Sequence, residues 1–196
     1  TPVSTNPFAH CAALPVTIKS WTADLHAAIV RMVRMRAPVV VAVQGNVAGG
    51  SVSLMAAGDL VVIGKSARIS SAFAKIGFTP DSGSTTTVTR RIGVARAKRF
   101  FLLAETMDAD AALAAGLVDY VVNDDAVVTE AEKIARELAS GPTEAYGGIK
   151  RLFLQTLNRS IESQLEDEAQ TLAAISRTAD AQEGVKAFRE KRKPAF

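Results

Sequence analysis

The sequence predicts an α/β fold with a helical C-terminal region. Two continuous β-branched runs, Val39–Val43 and Leu60–Ile63, have the character of buried strands. Segments of helical periodicity alternate with these strands, and from about residue 126 onward the pattern is helical throughout. The chain has 196 residues, 48 % of them hydrophobic and 22 % charged. This length and composition suit one core domain with an appendage.

The N-terminal segment is predicted to be a loop followed by one long helix. Thr1–Pro15 is aperiodic and rich in Pro, Thr and Ala. It has no initiator Met, no signal peptide and no Arg-rich transit segment, so we expect residues to be missing before it and the protein to be cytoplasmic. Apolar residues at helical spacing predict an amphipathic helix from about Thr17 to Arg36, and Pro38 ends it.

Short elements and glycine-bearing turns make up the rest of the core, and their crossovers are expected to be right-handed. The first predicted elements are the strand Val39–Val43, a turn at Gln44–Gly50 and a helix at about Gly50–Ala57. The strand Leu60–Ile63, a possible strand near Arg68–Ser70 and a loop at Gly77–Ser84 follow. The last are a helix from about Gly83 to Leu103 that is broken at Gly93, a short helix that Asp108 caps and Gly116 ends, and the strand Leu117–Val122.

Beyond Asp125 the sequence predicts only helices, at about 126–139, 143–156, 158–177 and 180–190, and the last three of them form the C-terminal region. Gly141–Pro142 is the clearest interruption between the two regions. We therefore divide the chain into a core at 1–140 and a helical region at 141–196. The helical region is too short to fold alone, so it is expected to pack on the core or on another subunit.

Composition excludes several classes of function. The single cysteine, Cys11, rules out an internal disulfide, and with only two histidines a His/Cys metal site is not expected. The longest apolar runs, such as Pro38–Val43, are too short to span a bilayer. The net charge of +3 and pI of about 9.2 permit nucleic-acid binding. However, aromatics do not interleave with the basic residues, which disfavours that function.

A pair of glycines opens the predicted helix after the first strand. Gly49 and Gly50 would let a ligand carbonyl approach the backbone, and the N–H groups of a helix's first turn have no partner within the helix. Such donors form oxyanion holes. Tight packing of strand on helix explains the glycines equally well, and the residues alone leave both interpretations open.

Asp81 is the second candidate for chemistry. It follows a proline and precedes a predicted helix, so an N-cap is the favoured interpretation. The alternative is a proton shuttle at the edge of a pocket.

Five ordered segments together resemble the enoyl-CoA hydratase/isomerase family, also called the crotonase superfamily. The resemblance covers essentially residues 36–196. The segments that carry it are Ala37–Gly50, Gly77–Gly83, Arg91–Gly93, Ala111–Val118 and Glu183–Phe196.

The resemblance implies a crotonase-like spiral of ββα turns, with residues 141–196 as a trimerisation region in a homotrimer or hexamer. The ligand would be an acyl-CoA thioester, with coenzyme A as part of the substrate, no separate cofactor and no metal. The thioester carbonyl would lie between two backbone N–H groups, of which Gly50 matches the second. No counterpart of the first is visible in Thr1–Pro15, which is a further reason to expect missing residues.

Side chains at the expected site favour one chemistry within the family. Hydratases of the family resemble one another in two glutamates that hold and activate water. Those positions are occupied here by Ser53 and, approximately, Phe73. Asp81 matches the isomerase branch, in which one aspartate is the acid/base. The resemblance thus implies a double-bond isomerase with Asp81 and Gly50 as catalytic residues, and a substrate pocket at Gly49, Ser53, Phe73, Phe78 and Pro80.

Other predictions and alternatives accompany this one. By resemblance, Phe188, Lys191 and Arg192 would contact the CoA nucleotide, although a solvated basic helix end is as good an interpretation of each. Ile76, with Phe73 and Phe78, would keep water from Asp81. The alternatives are hydratase or other crotonase chemistry, a non-catalytic CoA-binding homologue, and RNA binding.

Overall fold

The structure, a computed structural model, describes residues 14–196. The first helix, α1, spans Leu14–Arg34. Leu14 and Pro15 therefore belong to a helix and not to the predicted loop, because proline is tolerated in the first turn, where an N–H needs no helical partner. The helix ends two residues earlier than predicted. The rest of the predicted loop, residues 1–13, lies outside the described residues. The prediction about a first oxyanion donor falls on the same segment and therefore also lies outside them.

Between residues 14 and 140, two three-stranded sheets carry the successive turns of a spiral. The first sheet has the strand order β1–β3–β6 and is parallel throughout. The second has the order β2–β4–β5, with β2 parallel and β5 antiparallel to β4. The strands are β1 (Val40–Val43), β2 (Asn46–Ala48), β3 (Leu60–Gly64), β4 (Arg68–Ser70), β5 (Thr106–Asp108) and β6 (Tyr120–Val122).

Two of these strands were not predicted. β2 lies inside the segment predicted as a turn, and β5 follows the long helix of the core. Each has only three residues, which is too short for alternation to be visible in the sequence. Tyr120–Val122 is also shorter than the predicted strand Leu117–Val122, since Leu117 and Val118 are buried in the core without pairing in a ladder.

The helices of the core lie where the periodicity predicts them. The helices α2, α3 and α4 span Gly50–Ala56, Ser84–Leu102 and Ala109–Ala114. Gly93 interrupts α3 with φ 75° and ψ 162°, as predicted. Asp108 caps α4 by accepting a hydrogen bond of 2.9 Å from the N–H of Ala111, also as predicted. β1, β2 and α2 form one ββα turn, and β3, β4 and α3 form the next.

Arg91 fastens the C-terminal end of α2 to α3. Its guanidinium donates to the carbonyl oxygens of Ala56 at 3.2 Å and Gly58 at 2.8 Å. It also pairs with Asp119 at 3.1 Å, and its side chain is only 11 % exposed. Because a cation at the end of a helix satisfies unpaired carbonyl groups, Arg91 holds α2 in place from the end opposite to the glycine pair.

Beyond residue 126 the chain forms four helices, as predicted. The helices α5, α6, α7 and α8 span Val127–Ala139, Thr143–Gln155, Ile161–Ile175 and Ala179–Glu190. Of these, α5 packs on β1 and β3, and α6 contacts both α1 and α7. Lys150 of α6 reaches the core, where its ammonium lies 2.6 Å from the carboxylate of Asp59.

Candidate active site

The glycine pair forms the N-terminus of α2. Gly49 is the N-cap residue, with φ 60° and ψ −130°, and Gly50 is the first helical residue. The Gly49 N–H donates to the carbonyl of Ser70 at 3.3 Å, which fastens the turn to β4. The N–H of a first helical residue has no partner within its helix, and no acceptor for the Gly50 N–H is present among residues 14–196. As far as residues 14–196 are concerned, this N–H can therefore bind a ligand oxygen.

Asp81 is not the N-cap of α3, so the favoured interpretation from sequence is wrong. The N-cap residue is Gly83, at φ 74°, and no side chain caps the helix. The Asp81 carbonyl accepts the N–H of Ser84 at 2.9 Å, while its carboxylate accepts a 2.9 Å hydrogen bond from the Ser82 hydroxyl. Two glycine-like conformations in a row, at Ser82 and Gly83, turn the chain before the helix begins, which keeps the Asp81 side chain away from the first helical N–H groups.

The fold brings Asp81 and Gly50 together. A methyl group placed on the α-carbon of Gly50 would lie 3.9 Å from Oδ1 of Asp81 and 3.3 Å from Oγ of Ser82. It would also lie 3.4 Å from Cδ2 of Leu25, a residue of α1 that the sequence did not indicate. A carboxylate, a hydroxyl and a backbone N–H thus share one small volume under α1. A carboxylate and an unpaired N–H in that arrangement can move a proton and stabilise an oxyanion.

The apolar residues predicted around Asp81 differ in how exposed they are. Phe73 is half-buried, and its ring approaches the position of a Gly49 side chain to 3.9 Å. Pro80 is half-buried beside Asp81. Phe78 is 37 % exposed and Ile76 is 65 % exposed. Of the three apolar residues expected to keep water from Asp81, Phe73 is thus the one placed against the glycine pair, and Ile76 faces solvent.

Ser53 was predicted to line the substrate pocket, and the structure corrects this, because its side chain is not open to a ligand. It is fully buried, and its hydroxyl donates to the carbonyl of Ser82 and lies 3.2 Å from the hydroxyl of Thr87. Its side chain therefore supports the loop that carries Asp81. Sequence reasoning missed both Ser82 and this contact, because nothing in the local pattern shows which side of α2 the loop covers.

The residues predicted to contact the CoA nucleotide lie at the end of α8. Phe188 is 86 % exposed, and Lys191 ends the helix in a left-handed conformation at φ 53°. Arg192 is instead paired with Glu183, at 2.5 and 3.0 Å, and with Glu190 at 2.6 Å. The guanidinium of Arg192 is thus already neutralised within the chain, whereas Phe188 and Lys191 are open to a ligand.

The link between Glu183 and Arg192 is expected to persist to low pH. Hydrogen bonds from Arg192 and from the N–H of Ala195 lower the pKa of Glu183 to about 2. Because this pKa is below that of an unfolded glutamate, the link is complete above pH of about 4.5 and is lost as the pH falls toward 2. A carboxyl-carbon NMR titration should give a midpoint for Glu183 near 2, moving upward in Arg192→Gln. A wild-type midpoint near the ordinary glutamate value would contradict this, and Lys133→Gln serves as the control, because Lys133 pairs with Glu130 on α5.

Gly49→Ala is expected to lower the free energy of unfolding by on the order of 1–3 kcal/mol. At φ 60° and ψ −130° an L side chain is strained, whereas the nearest atom, at 3.9 Å, leaves room for a methyl group. Gly77→Ala is the matched control, since Gly77 has φ 73° and ψ 18°, nothing within 4 Å, and a milder left-handed conformation. Urea denaturation should show a larger loss for Gly49→Ala. An equal or smaller loss would mean that the turn relaxes.

Two cavities lie between the helices and away from Gly50 and Asp81. One of about 620 Å³ is lined in part by Val33, Phe153 and Leu157. Another of about 490 Å³ is lined in part by Arg34 and Arg151. Both form where α6 meets α1 and other helices, so no sequence motif could indicate them.

The basic residues of the core are largely engaged within the chain. Arg96 and Arg99 both pair with Glu105, each at 2.6 Å, and Arg90 donates to the carbonyl of Leu154 at 2.9 Å. This use of the basic residues disfavours RNA binding.

Residues 14–196 contain no group of three His, Cys, Asp or Glu residues that could hold a metal ion. Over the same residues, every helix lacks the length or the apolar character that crossing a membrane requires.

Comparison with known proteins identifies a family and several relatives. A sequence model of the family described as enoyl-CoA hydratase/isomerase matches residues 18–196. The 1,2-epoxyphenylacetyl-CoA isomerase of Escherichia coli (strain K12) is 36 % identical over 166 residues, which are 85 % of this chain and 63 % of that protein. The trans-2-decenoyl-[acyl-carrier-protein] isomerase of Streptococcus mutans is 29 % identical over 83 % of this chain and 62 % of that protein. The 2,3-dehydroadipyl-CoA hydratase of Escherichia coli (strain K12) is 30 % identical over 85 % of this chain and 65 % of that protein. The chain thus spans less than two thirds of the length of these relatives.

Solved structures resemble the whole architecture. An enoyl-CoA hydratase from Polaromonas sp. JS666 superimposes with a TM-score of 0.85 at 27 % identity, covering 91 % of this chain and 70 % of that one. An enoyl-CoA hydratase from Bacillus anthracis gives a TM-score of 0.85, also at 27 % identity, covering 91 % and 69 %. These likenesses confirm the predicted fold class, including its C-terminal helical region.

Proposed function

The chain belongs to the enoyl-CoA hydratase/isomerase family, and from this premise we propose that it processes acyl-CoA thioesters through an enolate, as a 3-enoyl-CoA to 2-enoyl-CoA isomerase. The observation that carries the proposal is the closeness of the Asp81 carboxylate to Gly50, whose N–H is proposed to bind the thioester carbonyl. Relatives named isomerases and a relative named a hydratase both match the chain. The choice between them therefore rests on the site.

Asp81 performs the proton transfer in this mechanism. The ionised carboxylate takes a proton from carbon 2 of a 3-enoyl thioester, and the electrons of the broken C–H bond move onto the thioester oxygen as an enolate. The Gly50 N–H stabilises that oxygen, and one such donor contributes on the order of 3 kcal/mol. The same carboxyl group then returns the proton to carbon 4, and the double bond becomes conjugated with the carbonyl. One carboxylate suffices, and no water is consumed.

Hydration is the second candidate, and the residues beside the glycine pair disfavour it. Ser53 is bonded to Ser82 and Thr87, and Phe73 presents a ring toward Gly49. Neither side chain can activate an attacking water. Because hydration needs a positioned water on the substrate, this arrangement favours isomerisation by a single carboxylate.

Two substrates offered separately test the proposal. The purified protein is incubated with a 3-enoyl-CoA in one cuvette and a 2-enoyl-CoA in another, and the absorbance of the conjugated thioester is followed. We expect the absorbance to grow in the first and to remain constant in the second. Loss of absorbance in the second would establish hydration instead. No change in either would favour another thioester reaction or a CoA-binding homologue without catalysis.

For the assembly, we propose that residues 141–196 form the subunit contact of a homotrimer or hexamer. Large apolar side chains on two successive helices, α6 and α7, and in the turn between them support this, because such residues are rarely exposed together on a monomer. They are Ile149, Phe153, Leu157, Ile161, Leu165 and Leu172. Light scattering coupled to gel filtration would give the mass, and a monomer at micromolar concentration would refute the proposal.

A further inference from the structure

We propose that Ser82 is a positioning residue, whose hydroxyl holds the Asp81 carboxylate toward the N-terminus of α2. We further propose that Ser53 holds Ser82 in turn. The inference rests on the proposed role of Asp81 in proton transfer, and it assigns a function to two hydroxyl groups that do not react themselves.

The Ser82 hydroxyl contacts the Asp81 carboxylate and lies close to Gly50. It donates a 2.9 Å hydrogen bond to Oδ1 of Asp81, and it is the polar atom nearest to the side-chain position of Gly50, at 3.3 Å against 3.9 Å for that carboxylate oxygen. Ser82 is 2 % exposed and Asp81 is half-buried, so the hydroxyl that donates this bond is shielded from water. A carboxylate on a loop has two free side-chain torsions, and a buried donor of this kind restricts them.

The backbone at Ser82 indicates that the side chain has a purpose. Ser82 has φ 54°, in the left-handed region that glycine adopts without strain, and Gly83 beside it has φ 74°. Glycine at position 82 would relieve the strain. What the serine adds is its hydroxyl, and that hydroxyl is bonded to Asp81.

Ser53 connects this strained residue to α2. Its hydroxyl donates to the Ser82 carbonyl and lies 3.2 Å from the Thr87 hydroxyl in the first turns of α3. Ser53 lies three residues after Gly50 on the same helix. The helix that carries the oxyanion donor therefore also holds the peptide that carries the proton shuttle, so the distance between the two groups is set through buried hydrogen bonds.

Three substitutions at position 82 separate positioning from folding. Ser82→Ala and Ser82→Gly both lose the hydroxyl, but Ser82→Gly relieves the backbone strain and should be the more stable. Ser82→Thr keeps a hydroxyl while a β-branched residue increases the strain. We expect kcat for isomerisation to fall about 10- to 100-fold in both Ser82→Ala and Ser82→Gly, with KM within about twofold. Ser82→Thr should recover part of kcat although it is the least stable.

The order of the kcat values of the three variants decides between a positioning role and a purely structural role for Ser82. A purely structural role makes activity follow stability, so that Ser82→Gly would match the wild-type kcat and Ser82→Thr would be the worst; that outcome overturns the proposal. Ser53→Ala should lower kcat by a smaller factor. Ser140→Ala is the control, because the Ser140 hydroxyl bonds the carbonyl of Glu137 at the end of α5, away from the site.

A structural measurement keeps this test separate from that of the function. If the wild-type protein showed no isomerase activity, the proposed function would fail, and crystal structures of wild type and Ser82→Ala would judge the positioning role. We expect the Asp81 carboxylate to move by more than about 0.5 Å or to adopt several conformers without the hydroxyl. An unchanged, single conformer would overturn the proposal.

Discussion

Asp81→Asn is expected to lower kcat for isomerisation by about 10²- to 10⁴-fold, because an amide cannot accept the proton from carbon 2. Its side-chain oxygen can still accept the hydrogen bond from Ser82. Since Asp81 does not cap α3, the free energy of unfolding should change by less than about 0.5 kcal/mol. Steady-state kinetics on a 3-enoyl-CoA and a urea titration measure the two quantities.

Asp108→Asn is the matched control for this substitution. Asp108 is exposed and caps α4 through its carboxylate, and asparagine caps helices equally well. Activity and stability should therefore both stay near wild type. An Asp81→Asn protein that isomerises as fast as wild type would eliminate Asp81 as the acid/base, and a loss of stability of about 1 kcal/mol would restore the capping role that the structure disfavours.

Lys150→Met is expected to lower the free energy of unfolding by about 3 kcal/mol, the largest effect on stability that we predict. The Lys150 side chain is 8 % exposed, and its ammonium contacts Asp59 at 2.6 Å and the carbonyl oxygens of Met32 at 3.1 Å and Ala37 at 3.0 Å. All three of its protons thus have acceptors. Removing it leaves the Asp59 carboxylate with the N–H of Val39 as its remaining contact among these groups.

This loss should appear as a lower urea midpoint with an unchanged slope. Lys133→Met is the control, because Lys133 pairs with Glu130 on the exposed face of α5 and its side chain is 69 % exposed. Such a pair contributes at most about 1 kcal/mol. Adding Asp59→Asn to Lys150→Met should recover part of the loss, since the unpaired charge is then gone. Equal effects of Lys150→Met and Lys133→Met would show that α6 is not held to the core by this ion pair.

Long periodic segments were predictable because the spacing of apolar residues within a helix is visible in its own sequence. α1, α3 and the four C-terminal helices appear in the sequence as apolar residues at helical spacing, and the buried strands β1 and β3 as β-branched runs. The interruption of α3 at Gly93 and the cap at Asp108 were equally local. The three-residue strands β2 and β5 were missed, because their existence depends on a partner strand and not on their own residues.

Much of the candidate site also depended on contacts between distant segments. The glycine pair and Asp81 were predicted as residues, but the local pattern favoured an N-cap for Asp81, which proved wrong. Ser53 was predicted to face the substrate and instead supports the Asp81 loop. Leu25, Ser82 and Thr87 were not predicted as residues of the site. Each of these outcomes was settled by how α1, α2 and the loop before α3 pack together.

The sequence by itself determined the fold class, the order of its long elements and the two segments that could carry chemistry, because periodicity, β-branching and glycine act within a few residues. Only the tertiary structure decided that the Asp81 carboxylate lies beside Gly50, that Ser53 is buried and bonded to the Ser82 carbonyl, and that Lys150 joins the C-terminal helices to the core. Those arrangements join groups that are 29 to 118 residues apart in the chain. Their distances are set by packing and buried hydrogen bonds, which a local pattern does not encode.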